Sequence, residues 1–117
     1  MKTLYDINNM LHGLFDLTRE LTIDFVNPRP ESKNTLGNVR KLISLYHNVK
    51  YIIENNTPED VENIIIDKRK ELIDDDNALK DRTDKHQAFI LIKHLDFIEY
   101  IRILNWTLDR DEFDFTY

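Results

Sequence analysis

Residues 87–108 read QAFILIKHLDFIEYIRILNWTL, the longest and most apolar helical run in the chain, and they limit the fold more than any other stretch. On a helical wheel of about 100° per residue, Ile90, Phe97, Ile101, Leu104 and Leu108 form one stripe. Ala88, Leu91, Leu95, Ile98 and Trp106 form a second, about 120° away. Ile92, Tyr100 and Ile103 close much of the remaining circumference. A helix apolar on nearly every side is either the central rod of a bundle or a helix shared with a partner. It is a poor membrane span, because Lys93, His94, Asp96, Glu99 and Arg102 interrupt it.

The remaining sequence offers that helix three companions. Leu4, Ile7, Leu11, Leu14, Thr18, Leu21 and Phe25 recur three and four apart, which predicts a first helix over 3–26. Gly13 within it suggests a close helix crossing. Asn27-Pro28-Arg29-Pro30 stops it, since proline lacks the amide donor and restricts the preceding residue. A second helix is predicted over 33–54, its apolar face running from Leu36 and Val39 to Ile52 and Ile53. Thr57-Pro58-Glu59-Asp60 has a hydroxyl at the N-cap, proline at N1 and acids in the first turn, and opens a third helix over 58–74. The acidic corner Asp74-Asp75-Asp76 opposes a helix C-terminus and favours the next N-terminus. The last helix is therefore expected from residue 77, or from 86 if the chain breaks near Thr83, as far as 108. A short acidic–aromatic tail follows over 109–117. The expected fold is all-α, a single domain built as an up-down four-helix bundle.

Composition narrows the function. The 117 residues carry a formal net charge of −6, which disfavours direct nucleic-acid binding because phosphate contacts need Lys and Arg. With no cysteine, neither a thiolate nucleophile nor a cysteine metal site can form. Only two glycines are present, so a phosphate cradle of backbone amides is not expected. The N-terminus lacks the basic-then-apolar pattern of a signal peptide, and a cytoplasmic protein without cofactor or metal is expected. Abundant Ile and Asn with scarce Ala and Gly suggest AT-rich coding, as in a low-GC bacterium, a phage or a plasmid.

Three constellations bear on chemistry. His86 and His94 lie eight apart, about 80° around the wheel, and do not make a metal pair, which needs spacings of three or four. Arg40 and His47 return to nearly the same helix face. Their spacing resembles the Arg-x4–6-His pattern of the HEPN ribonucleases, small helical domains that work as dimers. That resemblance implies a pair activating a ribose hydroxyl and stabilising the phosphate, although Lys41 stands where the family has a polar residue. Glu59, Glu62, Glu71 and Asp74 spell ExxE and ExxD, similar to helical nucleotide pyrophosphohydrolases that hold Mg²⁺. Glu62 and Glu71, however, point about 180° apart on one helix.

Charge is segregated. Residues 28–50 hold five cations against Glu31, whereas residues 54–76 hold nine acids against Lys68, Arg69 and Lys70. An acidic surface of Glu59, Glu62, Asp74, Asp75 and Asp76 would steer towards a basic partner, such as the nucleic-acid channel of a DNA- or RNA-handling enzyme. The surplus apolar surface of the last helix points to a protein partner or a homodimer through Ile92, Tyr100, Ile103 and Trp106. Phe113, Phe115 and Tyr117 of the tail would either fold back or join that interface. The sequence therefore favours a non-enzymatic interaction protein, an accessory or inhibitory factor of a phage or mobile element binding stoichiometrically, over a HEPN-like ribonuclease or a purely structural homodimeric helical protein.

Overall fold

A computed structural model describes residues 1–23, 30–82 and 86–117, apart from the side chains of residues 23 and 30–34. It is all-helical: α1 (Leu4–Ile23), α2 (Pro30–Asn55), α3 (Pro58–Lys80) and α4 (Gln87–Thr107), with no strand among the described residues. No helix among these is long and apolar enough to cross a membrane. The chain divides into two compact units, residues 3–55 and residues 56–117 together with Met1 and Lys2.

In the first unit α1 packs along α2. Thr3 caps α1: its amide and hydroxyl both donate to Asp6 Oδ2, at 2.8 and 3.0 Å. The predicted seam is the shielded face of α1. Ile7 and Leu11 are buried, Leu4, Leu14, Thr18 and Leu21 half-buried. On α2 the buried positions are Leu36, Val39, Tyr46 and Val49. Gly13 departs from expectation. A Cβ built there meets nothing within 4 Å, so the glycine does not mark a close crossing. The helix stop at Asn27–Arg29, and Phe25 of the seam, lie outside the described residues.

In the second unit α3 packs antiparallel against α4: Asp76 faces His94, and Arg69, seven residues earlier, faces Asn105, eleven residues later. α3 does not end at the acidic corner but continues to Lys80. The reason is the seam. Val61, Ile65, Arg69, Leu72, Asp76 and Leu79 are all buried at helical spacing, so the apolar rhythm passes through two charged residues. Thr57 occupies the N-cap as expected, but its hydroxyl donates to Asp60 Oδ2 at 2.9 Å and caps no amide. α4 starts at Gln87 because the ring of His86 serves as its cap, Nδ1 accepting from the Ala88 amide at 3.2 Å. Thr83, the expected break, lies outside the described residues.

The ends of the chain are fastened to this second unit. The Lys2 amide donates to the Thr107 carbonyl at 2.7 Å. The N-terminal ammonium and the Lys2 ammonium each reach the Asp109 carboxylate at 2.7 Å. These two cations hold the Asp109 carboxyl down to about 2, from an ordinary 3.8.

Candidate functional site

Two features of the second unit could do chemistry or recognition, and both grow out of how α4 is covered. Its C-terminal half is enclosed: Ile101, Ile103, Leu104, Asn105 and Thr107 are buried. Its N-terminal half is not. Leu91 is 57% exposed, Ile92 and Leu95 56% each, and Phe89 41%. One regular helix thus changes from a mostly enclosed segment to an open apolar face within about three turns.

The enclosed half is fixed by a polar knot. Arg69, 2% exposed, donates Nε–H to Asn105 Oδ1 at 2.6 Å and an Nη2–H to the Asp114 carbonyl at 2.7 Å. Asn105, fully buried, donates its amide to the carbonyls of Glu112 and Asp114, at 3.1 and 2.7 Å. Burial and neighbouring Arg110 push the Arg69 guanidinium below its ordinary value, and Asp114 opposes them. Hydrogen bonds from the Thr116 hydroxyl and amide hold the Asp114 carboxyl low. Among the described residues no buried side-chain nitrogen or oxygen of Arg69 or Asn105 is left without a partner, so the tail carbonyls are bound as part of the core.

The tail therefore folds back. Phe113 lies 4.9 Å from the Arg102 guanidinium and Tyr117 lies 5.4 Å from the Lys70 ammonium, distances suited to cation–π attraction. Phe115 is half-buried and lines a cleft between α3 and α4.

That cleft, of about 380 Å³, has an apolar wall of Ile73, Ile98 and Ile101. Its polar feature is the pair of Asp76, 5% exposed, and His94, whose Nδ1 sits 2.7 Å from Asp76 Oδ1. Lys80 Nζ lies 3.9 Å from the other carboxylate oxygen. A carboxylate that orients an imidazole supplies two of the three members of a hydrolytic triad. Among the described residues that line this cleft, however, none carries a hydroxyl or thiol to act as nucleophile. The pair fixes the His94 ring on the cleft wall. A second, shallower groove of about 730 Å³ continues past Lys80 and His94 towards Arg82, Gln87, Ala88 and Leu91.

The residues singled out from sequence are scattered by this arrangement. Ile92 is exposed, Tyr100 and Trp106 are half-buried, and Ile103, at 3% exposed, belongs to the core and not to a surface. Phe113 and Tyr117 are exposed but engaged by Arg102 and Lys70. Glu59, Glu62, Asp74 and Asp75 are exposed on α3, whereas Asp76 leaves the acidic surface for its pair with His94. Arg40 and His47 are both exposed on α2, with the Phe15 ring 6.0 Å from His47. Among the described residues no three acidic or histidine side chains could together hold a metal ion.

Sequence reasoning missed Arg69, Asn105 and the Asp76–His94 pair. Arg69 was hidden in the run Lys68-Arg69-Lys70, which reads as a solvated face, yet it stands four residues after Ile65 and three before Leu72. Leu91, Ile92 and Leu95 are the most open large aliphatic residues of α4. Compared with protein families, with curated proteins and with solved structures, the chain matches none.

Proposed function

We propose that this chain is a non-enzymatic protein–protein interaction module, which binds a larger protein stoichiometrically through the N-terminal half of α4. The observation that supports this is the contiguous exposure of Leu91, Ile92 and Leu95 on one regular helix. Large side chains are seldom left open together on a soluble monomer without an interaction to serve. Full burial of a Leu or Ile gains about 1.5–3 kcal/mol, so covering three that are half open gains roughly 3 kcal/mol. Such a patch is the centre of an interface, not the whole of one. The compositional bias towards AT-rich coding makes an accessory or inhibitory protein of a phage or mobile element the specific form of this reading.

The test is photo-crosslinking in the native host, with a photoreactive amino acid at Leu91 or Leu95 and, as control, at exposed Glu20 of α1. A single discrete adduct from the two α4 positions, absent from the control, is the expected result. No adduct from α4, accompanied by multiple-turnover nuclease or NTPase activity of the purified chain, would overturn the proposal.

A further inference from the structure

The cleft between α3 and α4 holds a carboxylate that the fold leaves only partly used. Asp76 is 5% exposed, and the one hydrogen bond it accepts among the described residues comes from the His94 ring, at Oδ1. Its Oδ2 has only an ion-pair partner, Lys80 Nζ, at 3.9 Å and beyond hydrogen-bond reach. An ionised carboxylate can accept about four hydrogen bonds, and a buried one is costly to leave short of donors. The same bond defines the His94 ring. A carboxylate only accepts, so Nδ1 is the donor, and Nε2 of the neutral ring keeps its lone pair. Nε2 also has no partner among the described residues. Two acceptors thus stand open at the polar end of the cleft. The wall beside them is apolar: Ile73 and Ile101 are buried, Ile98 and Phe115 half-buried. A volume of about 380 Å³ falls at the lower end of the range for small-molecule sites, roughly 300–1,000 Å³.

We infer that this cleft is a binding site for a small neutral molecule, an apolar ring bearing one hydroxyl or N–H donor, the class of phenols and indoles. The donor meets the acceptor pair of Asp76 Oδ2 and His94 Nε2 and supplies a bond that the fold leaves unmade. The ring is covered by the isoleucines and Phe115, where aromatic contact adds to burial. Charge selects the neutral form. An ammonium ligand would meet Lys80, a carboxylate ligand would meet Asp76, and each would be desolvated beside a like charge. A neutral donor avoids both penalties. The inference stands apart from the interaction reading, which rests on the exposure of Leu91, Ile92 and Leu95.

The experiment is a titration of the full chain, its isoleucine and leucine methyl groups followed by NMR. The probes are 4-methylphenol, its methyl ether, benzylamine and benzoate. The phenol should shift the methyls of Ile73, Ile98 and Ile101 before those of Leu91 and Ile92. It should bind about tenfold more tightly than the ether, which has lost the donor, and more tightly than either charged probe. At least one of His94→Phe and Asp76→Asn should bring the preference for phenol over ether to within about twofold. Where a variant fails to fold, as read by circular dichroism, the wild-type His94 ring nitrogens give the same reading. Binding at either acceptor moves their shifts, because Asp76 holds the ring. Equal binding of phenol and ether, or a charged probe that binds tighter, would overturn the ligand class. Shifts confined to Leu91 and Ile92, or none with any probe, would remove the site and leave a cleft filled by water. The same donor can arrive on a protein's tyrosine, so N-acetyltyrosinamide is titrated alongside. It should bind more weakly than the phenol, because its backbone amides lose hydration against an apolar wall. Tighter binding would give the cleft to a protein partner and sink the free small molecule.

Discussion

Arg69 and Asn105 show what single residues contribute to this fold. A buried guanidinium costs several kcal/mol to desolvate and is tolerated only when its donors are satisfied. Here Nε meets Asn105 and Nη2 meets the Asp114 carbonyl. Replacing Arg69 by Met keeps most of the stem's volume but strands Asn105 Oδ1 and leaves the Asp114 carbonyl only its bond from the Asn105 amide. The uncompensated group is an amide oxygen, not a buried charge, so the loss should be about 1–3 kcal/mol, read from urea unfolding. Asn105→Leu breaks the same Arg69–Asn105 bond from the other side and also frees the Glu112 carbonyl. The double variant should therefore lose clearly less than the sum of the two singles, the mark of a shared network. Asp109 sets up a different measurement. Its φ is 58°, a left-handed conformation that Asn also accepts, so Asp109→Asn removes charge while keeping the backbone. The folded carboxyl sits at about 2 against an ordinary 3.8. A depressed carboxyl stabilises fully above its unfolded value and loses that contribution as pH falls towards its folded value. Wild type and Asp109→Asn should therefore differ at neutral pH and converge between pH about 4 and about 2 in a melting series.

At the scale of helices, the open glycines give the most direct prediction. Gly13 and Gly37 lie inside α1 and α2, both exposed, and a Cβ at either meets nothing within 4 Å. Alanine there restricts the unfolded chain and meets no clash, so each substitution should stabilise by about 0.5–1 kcal/mol and raise the melting temperature by a few degrees. A fall would mean that the glycine serves a contact, as its place in the sequence first suggested. The case also shows what was legible. The seam Ile7, Leu11 and Leu14 and the face Leu36, Val39, Tyr46 and Val49 were readable because each helix needs one apolar side and offers one. The true end of α3 was not readable by the same rule. Its last turns keep the seam with Asp76 beside Leu79, and an acid counts as buried only once His94 is known to face it. The His86 cap was missed for a related reason: imidazole is an uncommon N-cap, and only geometry reveals that Nδ1 accepts from the Ala88 amide.

At the scale of the molecule, α4 separates what holds the fold from what is left for a partner. Apolar periodicity identified the helix but could not say which part of it would be covered, because coverage depends on where α3 and the tail run. Leu104 is fully buried, and Leu104→Ala should lose about 2–5 kcal/mol, like other large-to-small changes in a core. Leu91 and Leu95 are more than half exposed, so their serine variants should change stability by no more than about 0.5 kcal/mol each. The same variants should abolish the α4 crosslink, since the area lost from solvent in the complex is theirs. Unfolding curves and crosslinking on one set of samples check the separation. If Leu91→Ser and Leu95→Ser were as destabilising as Leu104→Ala, the open half of α4 would be part of the protein's own core, and no surplus surface would be left to recruit a partner.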